Sequence, residues 1–88
     1  MARYFIESKH TDAQCLQALD DIVAHNPKLL ADCYLGCMVG EHTGWAIVEA
    51  GSDLEARNML PGSLRGEARV VSVGQFTPEQ IRSFHKAA

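Results

Sequence analysis

Eighty-eight residues with a formal net charge of −3 and 47% apolar side chains make one small domain, residues 1–88, because a chain this short does not divide its core. There is no basic run and no aromatic interleaving with lysine or arginine, which sets nucleic acid aside as a partner. No stretch nears the ~20 apolar residues of a membrane span, the N-terminal residues lack the apolar segment of a signal peptide, and three cysteines suit no disulfide framework, so a cytoplasmic protein with reduced thiols and no membrane contact is expected.

Residues 2–8 alternate, with Tyr4 and Ile6 on one side and Phe5 on the other. That is the pattern of a strand apolar on both faces, hence central in its sheet. Lys9 and His10 leave it. Thr11-Asp12-Ala13-Gln14 matches a capping box, in which Thr11 accepts from the Gln14 amide and the Gln14 side chain reaches back. Cys15, Leu16, Leu19, Ile22 and Val23 then recur at helical spacing, predicting an amphipathic helix over about residues 12–25 with Cys15 as a core thiol. Asn26-Pro27 ends it, and residues 28–32 leave a short helical turn open.

Cys33 to Ala50 reads as a hairpin: two apolar runs, about 33–39 and 45–50, flank the glycine-bounded turn Gly40-Glu41-His42-Thr43-Gly44. Gly40 and Gly44 bound the turn, and Gly36 inside a strand marks a bulge or a close backbone approach. Ser52-Asp53-Leu54-Glu55 is a second capping box, opening a helix that carries Leu54, Met59 and Leu60 and stops at Pro61-Gly62. A loop over 63–66 leads to a strand at 68–73. Thr77-Pro78-Glu79-Gln80 is a third box, with Pro78 at the favoured first helical position, and Ile81 and Phe84 stripe the last helix. His85 and Lys86 complement its dipole.

The order β-α-β-β-α-β-α predicts an α+β fold, a ferredoxin-like βαββαβ sandwich with an extra C-terminal helix. Its four-stranded antiparallel sheet would run in the order 4-1-3-2. That order draws the end of the first strand, the hairpin turn and the start of the fourth strand to one edge, so His10, Cys37, His42, Trp45 and Arg65 should gather there. Cys33, His25 and Gln75 belong to the opposite edge. Cys33 and Cys37 on a strand would stand roughly 13 Å apart, too far for a disulfide or one metal ion.

Three functions compete for these side chains. In an enzyme, His10 or His42 handles protons, Cys37 is a nucleophile beside an imidazolium, Trp45 and Tyr34 line an apolar ligand site, and Arg65 clamps a carboxylate. In a metal-binding module, His10, His42 and Cys37, with Glu41 as a further donor, hold zinc, copper or nickel. In a structural domain, the histidines are hydrogen-bonded loop and turn residues, Trp45 is a core aromatic and the apolar sheet face serves assembly. The residues identify no cofactor.

The opening strand Ala2-Arg3-Tyr4-Phe5-Ile6-Glu7 and the Gly36-Cys37 and His42-Thr43-Gly44-Trp45 stretches, in this element order, resemble the small bacterial domains of the dimeric α+β-barrel group. The resemblance implies a homodimer, with one sheet from each subunit packed face to face around a cavity. It also implies a small molecule bound or converted near the hairpin, since that group holds cofactor-free monooxygenases, lactone isomerases, haem-degrading enzymes and ligand-sensing domains. No catalytic residue carries over from them.

Overall fold

Alternation along β1 (Ala2–Lys9) sends Ile6 and Ser8 into the interior, while Phe5 and Glu7 face the other way, half-buried, in the computed structural model, which describes residues 1–87. A 3-10 turn over Asp12–Gln14 follows and runs into α1 (Cys15–His25). The chain continues through α2 (Leu29–Asp32), β2 (Cys33–Gly36), a second 3-10 turn (Cys37–Val39), β3 (Glu41–Ala50), α3 (Asp53–Asn58), α4 (Gly62–Arg65), β4 (Arg69–Val73) and α5 (Pro78–Ala87). The fold is α+β, and its four strands form one antiparallel open sheet in the order β2-β3-β1-β4, the order expected from the sequence.

One sheet face packs on the helices. Ile6, Ala46, Val48 and Ala50 from the strands join Ile22 of α1, Leu29 of α2, Ala56 of α3 and the connecting residues Leu60 and Ala68 in the buried core. Small residues dominate β3's contribution, and small side chains let helices approach a sheet closely. The other face carries Tyr34, Trp45, Ile47 and Phe5 in register across β2, β3 and β1, with Val71 beside Phe5 on β4. Ile47 is 56% and Tyr34 75% exposed there.

The expected capping residues sit where the spacing put them. Thr11 Oγ1 accepts from the Gln14 amide and the Gln14 side chain accepts from Thr11 N–H. Thr77 and Gln80 repeat the exchange. Ser52 Oγ accepts from the Glu55 amide at 3.2 Å, but Glu55 reaches one residue further back and accepts from Gly51 N–H.

Several expectations need correcting. α1 turns Ala18, Leu19 and Ile22 inward and leaves Leu16 and Val23 exposed, so the predicted stripe was rotated toward solvent. Leu54 is likewise exposed, and residues 63–65 of the expected loop form most of α4, with Gly66 as its C-cap. β2 stops at Gly36, because Cys37-Met38-Val39 coils into a 3-10 turn that leaves Met38 and Val39 in solvent. Gly40, at φ +85°, closes this turn by donating its N–H to the Cys37 carbonyl. His42 therefore lies in strand β3, not in the hairpin turn. At Gly36 the ladder skips from Leu35↔Gly44 to Gly36↔Glu41, and a Cβ there would stand 2.6 Å from the Glu41 carbonyl oxygen. This is the bulge and close approach that a glycine inside a strand signals.

Candidate metal centre

The ladder between β1 and β3 ends at Lys9↔Thr43, and one further hydrogen bond, His10 N–H to the His42 carbonyl at 3.1 Å, continues it beyond the strand. That rung fixes the two imidazoles side by side, with ring centroids 5.5 Å apart in an edge-on arrangement. The capped 3-10 turn after His10 then reverses the chain and sets Cys15 at the first residue of α1, back over the same sheet edge. From the other side, the turn closed by Gly40 delivers Cys37, whose Sγ lies 3.3 Å from His10 Nε2. His10, Cys15, Cys37 and His42 each offer one donor atom, and these atoms all lie within 4.8 Å of one another.

The four side chains are half-buried, and the electrostatics of the group are uneven. The Cys15 thiol is held above its ordinary value by a hydrogen bond with Cys37, by desolvation and by the negative charges of Cys37 and Asp12. His42 Nε2 stands 3.2 Å from Asp12 Oδ1. Its Nδ1 is buried and has no hydrogen-bond partner among the described residues. A neutral imidazole that donates from Nε2 carries its lone pair on Nδ1, so in that tautomer His42 keeps a buried, unused acceptor.

A tetrahedral zinc ion at ordinary bond lengths holds sulfur and nitrogen donors about 3.4–3.8 Å apart. The 4.8 Å limit of the cluster is wider by about one ångström, within the reach of side-chain adjustment. Two imidazoles and two thiols are a zinc-type donor set and also suit soft ions such as copper(I). Asp12 supplies the carboxylate that commonly orients a metal-bound histidine from behind.

The structure brings together His10, Cys37 and His42, as the strand order implied, and adds Cys15, which the sequence assigned to the core. The missed signal was local: residues 10 and 15 flank a capped single turn, which returns the chain to the edge it left. Glu41 is engaged elsewhere, accepting from Thr43 Oγ1 at 2.8 Å. Cys33 stays outside the group, on the core side of β2, where burial pushes its thiol up. Trp45 points to the opposite sheet face and donates from Nε1 to Glu7 Oε2 at 3.1 Å. Tyr34 sits across from it in register on β2. Arg65 turns its guanidinium to the Leu60 carbonyl, with Nη2 at 2.8 Å. His25 bonds the Asn58 carbonyl oxygen and Gln75 the Arg3 guanidinium.

Two hollows bear on small-molecule binding. A cavity between sheet and helices touches His10, Ser8, Cys33 and Trp45, but it encloses only about 20 Å³, room for one water. A shallow depression of about 370 Å³ lies on the outer face, lined by Phe5, Tyr34, Trp45 and Ile47. Among the described residues, no helix is long and apolar enough to cross a membrane. No protein-family model, curated protein or solved structure matches the chain.

Proposed function

We propose that this chain is a metal-binding module that holds one thiophilic d¹⁰ ion, of the zinc class, between His10, Cys15, Cys37 and His42. The observation that carries the reading is the His42 ring. Its Nε2 is directed to the Asp12 carboxylate, its buried Nδ1 has no hydrogen-bond partner among the described residues, and the ring belongs to a group of two thiols and two imidazoles whose donor atoms lie within 4.8 Å of one another. Leaving a buried polar atom unsatisfied costs about 1–3 kcal/mol, and a ligated ion removes that cost.

All four donors come from the protein, so a tetrahedral ion there keeps no position for water or substrate. Closed sites of this kind hold or stabilise, whereas catalytic zinc sites leave one position open. This favours holding over conversion, and the small size of the inner cavity agrees with it. The strand order and the two β-α crossings support reading the body as a ferredoxin-like sandwich on which the donors occupy one sheet edge. That scaffold explains how residues 27 positions apart, His10 and Cys37, meet.

The test is a titration of untagged, chelator-treated protein with zinc under reducing conditions. One equivalent should bind with nanomolar or tighter affinity, on the scale of ~12 kcal/mol known for structural zinc. Cobalt in its place should give the absorption of a tetrahedral thiolate site, and Cys15→Ser and Cys37→Ser should each weaken that spectrum. Absence of binding by zinc and copper(I) alike would end the reading.

A further inference from the structure

The C-terminal arm is the least accommodated part of the molecule. Every residue from Ser72 to Lys86 is exposed, including Phe76 at 66%, Ile81 at 47% and Phe84 at 58%. The arm is nonetheless ordered in itself. Phe76 stacks edge-on against Phe84 with centroids 5.6 Å apart, and the Thr77–Gln80 box caps α5. Gln75 is held at the root by Arg3 Nη1. An amphipathic helix that leaves about half of its apolar stripe in water has little reason to form at ten residues, since isolated helices of that length are marginal.

Two measures of size give the extent of what is left uncovered. The radius of gyration is 15.8 Å, against about 12 Å for a globular chain of this length. The accessible surface is 6233 Å², about 1,100 Å² more than the roughly 5,100 Å² of a globular monomer of 9.6 kDa. A stable protein–protein interface removes about 800 Å² from each partner. The surplus on one chain therefore matches what one side of a dimer needs.

The same chain carries a surface of the right kind and size to receive the arm. The outer sheet face presents Phe5, Tyr34, Trp45, Ile47 and Val71 in register. Ten helical residues span about 15 Å, and three inter-strand gaps cover about 14 Å. In a two-fold pair each chain gives one arm and one face, so a single operation covers both.

We infer that the occupant of the outer sheet face is α5 of a second copy of this chain, exchanged reciprocally, with Phe76, Ile81 and Phe84 seated over Phe5, Trp45 and Ile47 of that copy. This interface lies on the face opposite the candidate metal centre and does not depend on it.

The experiment uses the full chain at micromolar concentration. Sedimentation equilibrium should give twice the 9.6 kDa chain mass, and Ile81→Asp with Phe84→Asp, or Ile47→Asp alone, should return it to the single-chain value. All three positions are exposed in the protomer, and unchanged circular dichroism would show that the body still folds. A photoreactive benzoylphenylalanine at position 84, in a mixture of ¹⁵N-labelled and unlabelled chains, should form mixed-isotope products joined to the strands β1 and β3. A monomer, crosslinks confined within one chain, or a dimer whose sheets join each other while position 84 joins nothing would each overturn the exchange.

Discussion

Asp12 Oδ1 lies 3.2 Å from His42 Nε2, joining the first helical turn of the chain to the third strand across a gap of thirty positions in sequence. The carboxylate is almost wholly in solvent, at 92% exposure, while the ring is 21% exposed. As a salt bridge in isolation such a contact is worth little. Its consequence is orientation, because it engages Nε2 and leaves Nδ1 as the nitrogen open to another partner.

Asp12→Asn should therefore weaken zinc binding by about 10–100-fold, the usual effect of removing a carboxylate behind a metal-bound histidine, while leaving the apo fold intact. Competition against a chromophoric chelator measures it. Equal affinity in the variant and the parent would show that Asp12 orients nothing.

Gly40→Ala tests the turn that carries Cys37. With φ at +85° and open space around the position, the cost is conformational rather than steric. About 1–2 kcal/mol of stability should be lost, or roughly 4–8 °C in Tm per kcal/mol for a domain of this size. Zinc affinity should fall with it if the turn relaxes and shifts Cys37. A variant as stable as the parent would mean that the left-handed conformation is not required.

Cys33 gives a pH dependence with a definite sign. Burial, then the neighbouring charge of Cys37, raises its thiol above the ordinary value of 9.0. A group whose folded value is raised keeps its full contribution below the unfolded value and loses it as pH climbs toward the folded one. Denaturant midpoints should fall with pH above about 9, and Cys33→Ala should flatten the decline. Alkylation by iodoacetamide should be slower at Cys33 in the native protein than after unfolding.

Ser8→Ala addresses a buried hydroxyl. Ser8 is 7% exposed and its Oγ has no partner among the described residues. Removing an unsatisfied hydroxyl should stabilise the fold, by about 1 kcal/mol. Loss of stability in chemical denaturation would show instead that the hydroxyl is hydrogen-bonded, through a water in the adjoining 20 Å³ cavity.

Much of this was legible in the residues. Capping pairs announced where three helices begin, because a side chain that satisfies a backbone donor has to sit a fixed number of positions away. Element order then implied the strand order, and the strand order brought His10, His42 and Cys37 together. Other features escaped for physical reasons. Met38 and Val39 look like strand, yet hydrophobicity alone does not distinguish a pleated run from a turn whose apolar side chains stay wet. Leu16 and Val23 tilted the apparent face of α1, so Cys15 was read by its helical position instead of by the turn that precedes it. Nothing in the sequence determines whether α5 lies on its own sheet, since an amphipathic stripe states that a helix wants cover and not whose.

The donors divide two and two, His10 and Cys15 from the first crossover and Cys37 and His42 from the hairpin. An ion bound by all four is thus a reversible cross-link between segments that otherwise meet through strand pairing and a few side-chain hydrogen bonds. With the ion in place, the sheet edge at Ser8–His10 would open only when a ligand bond breaks, so amide exchange there should slow by orders of magnitude while exchange in α5 stays unchanged. Loss of the ion would unfasten the domain from that edge first.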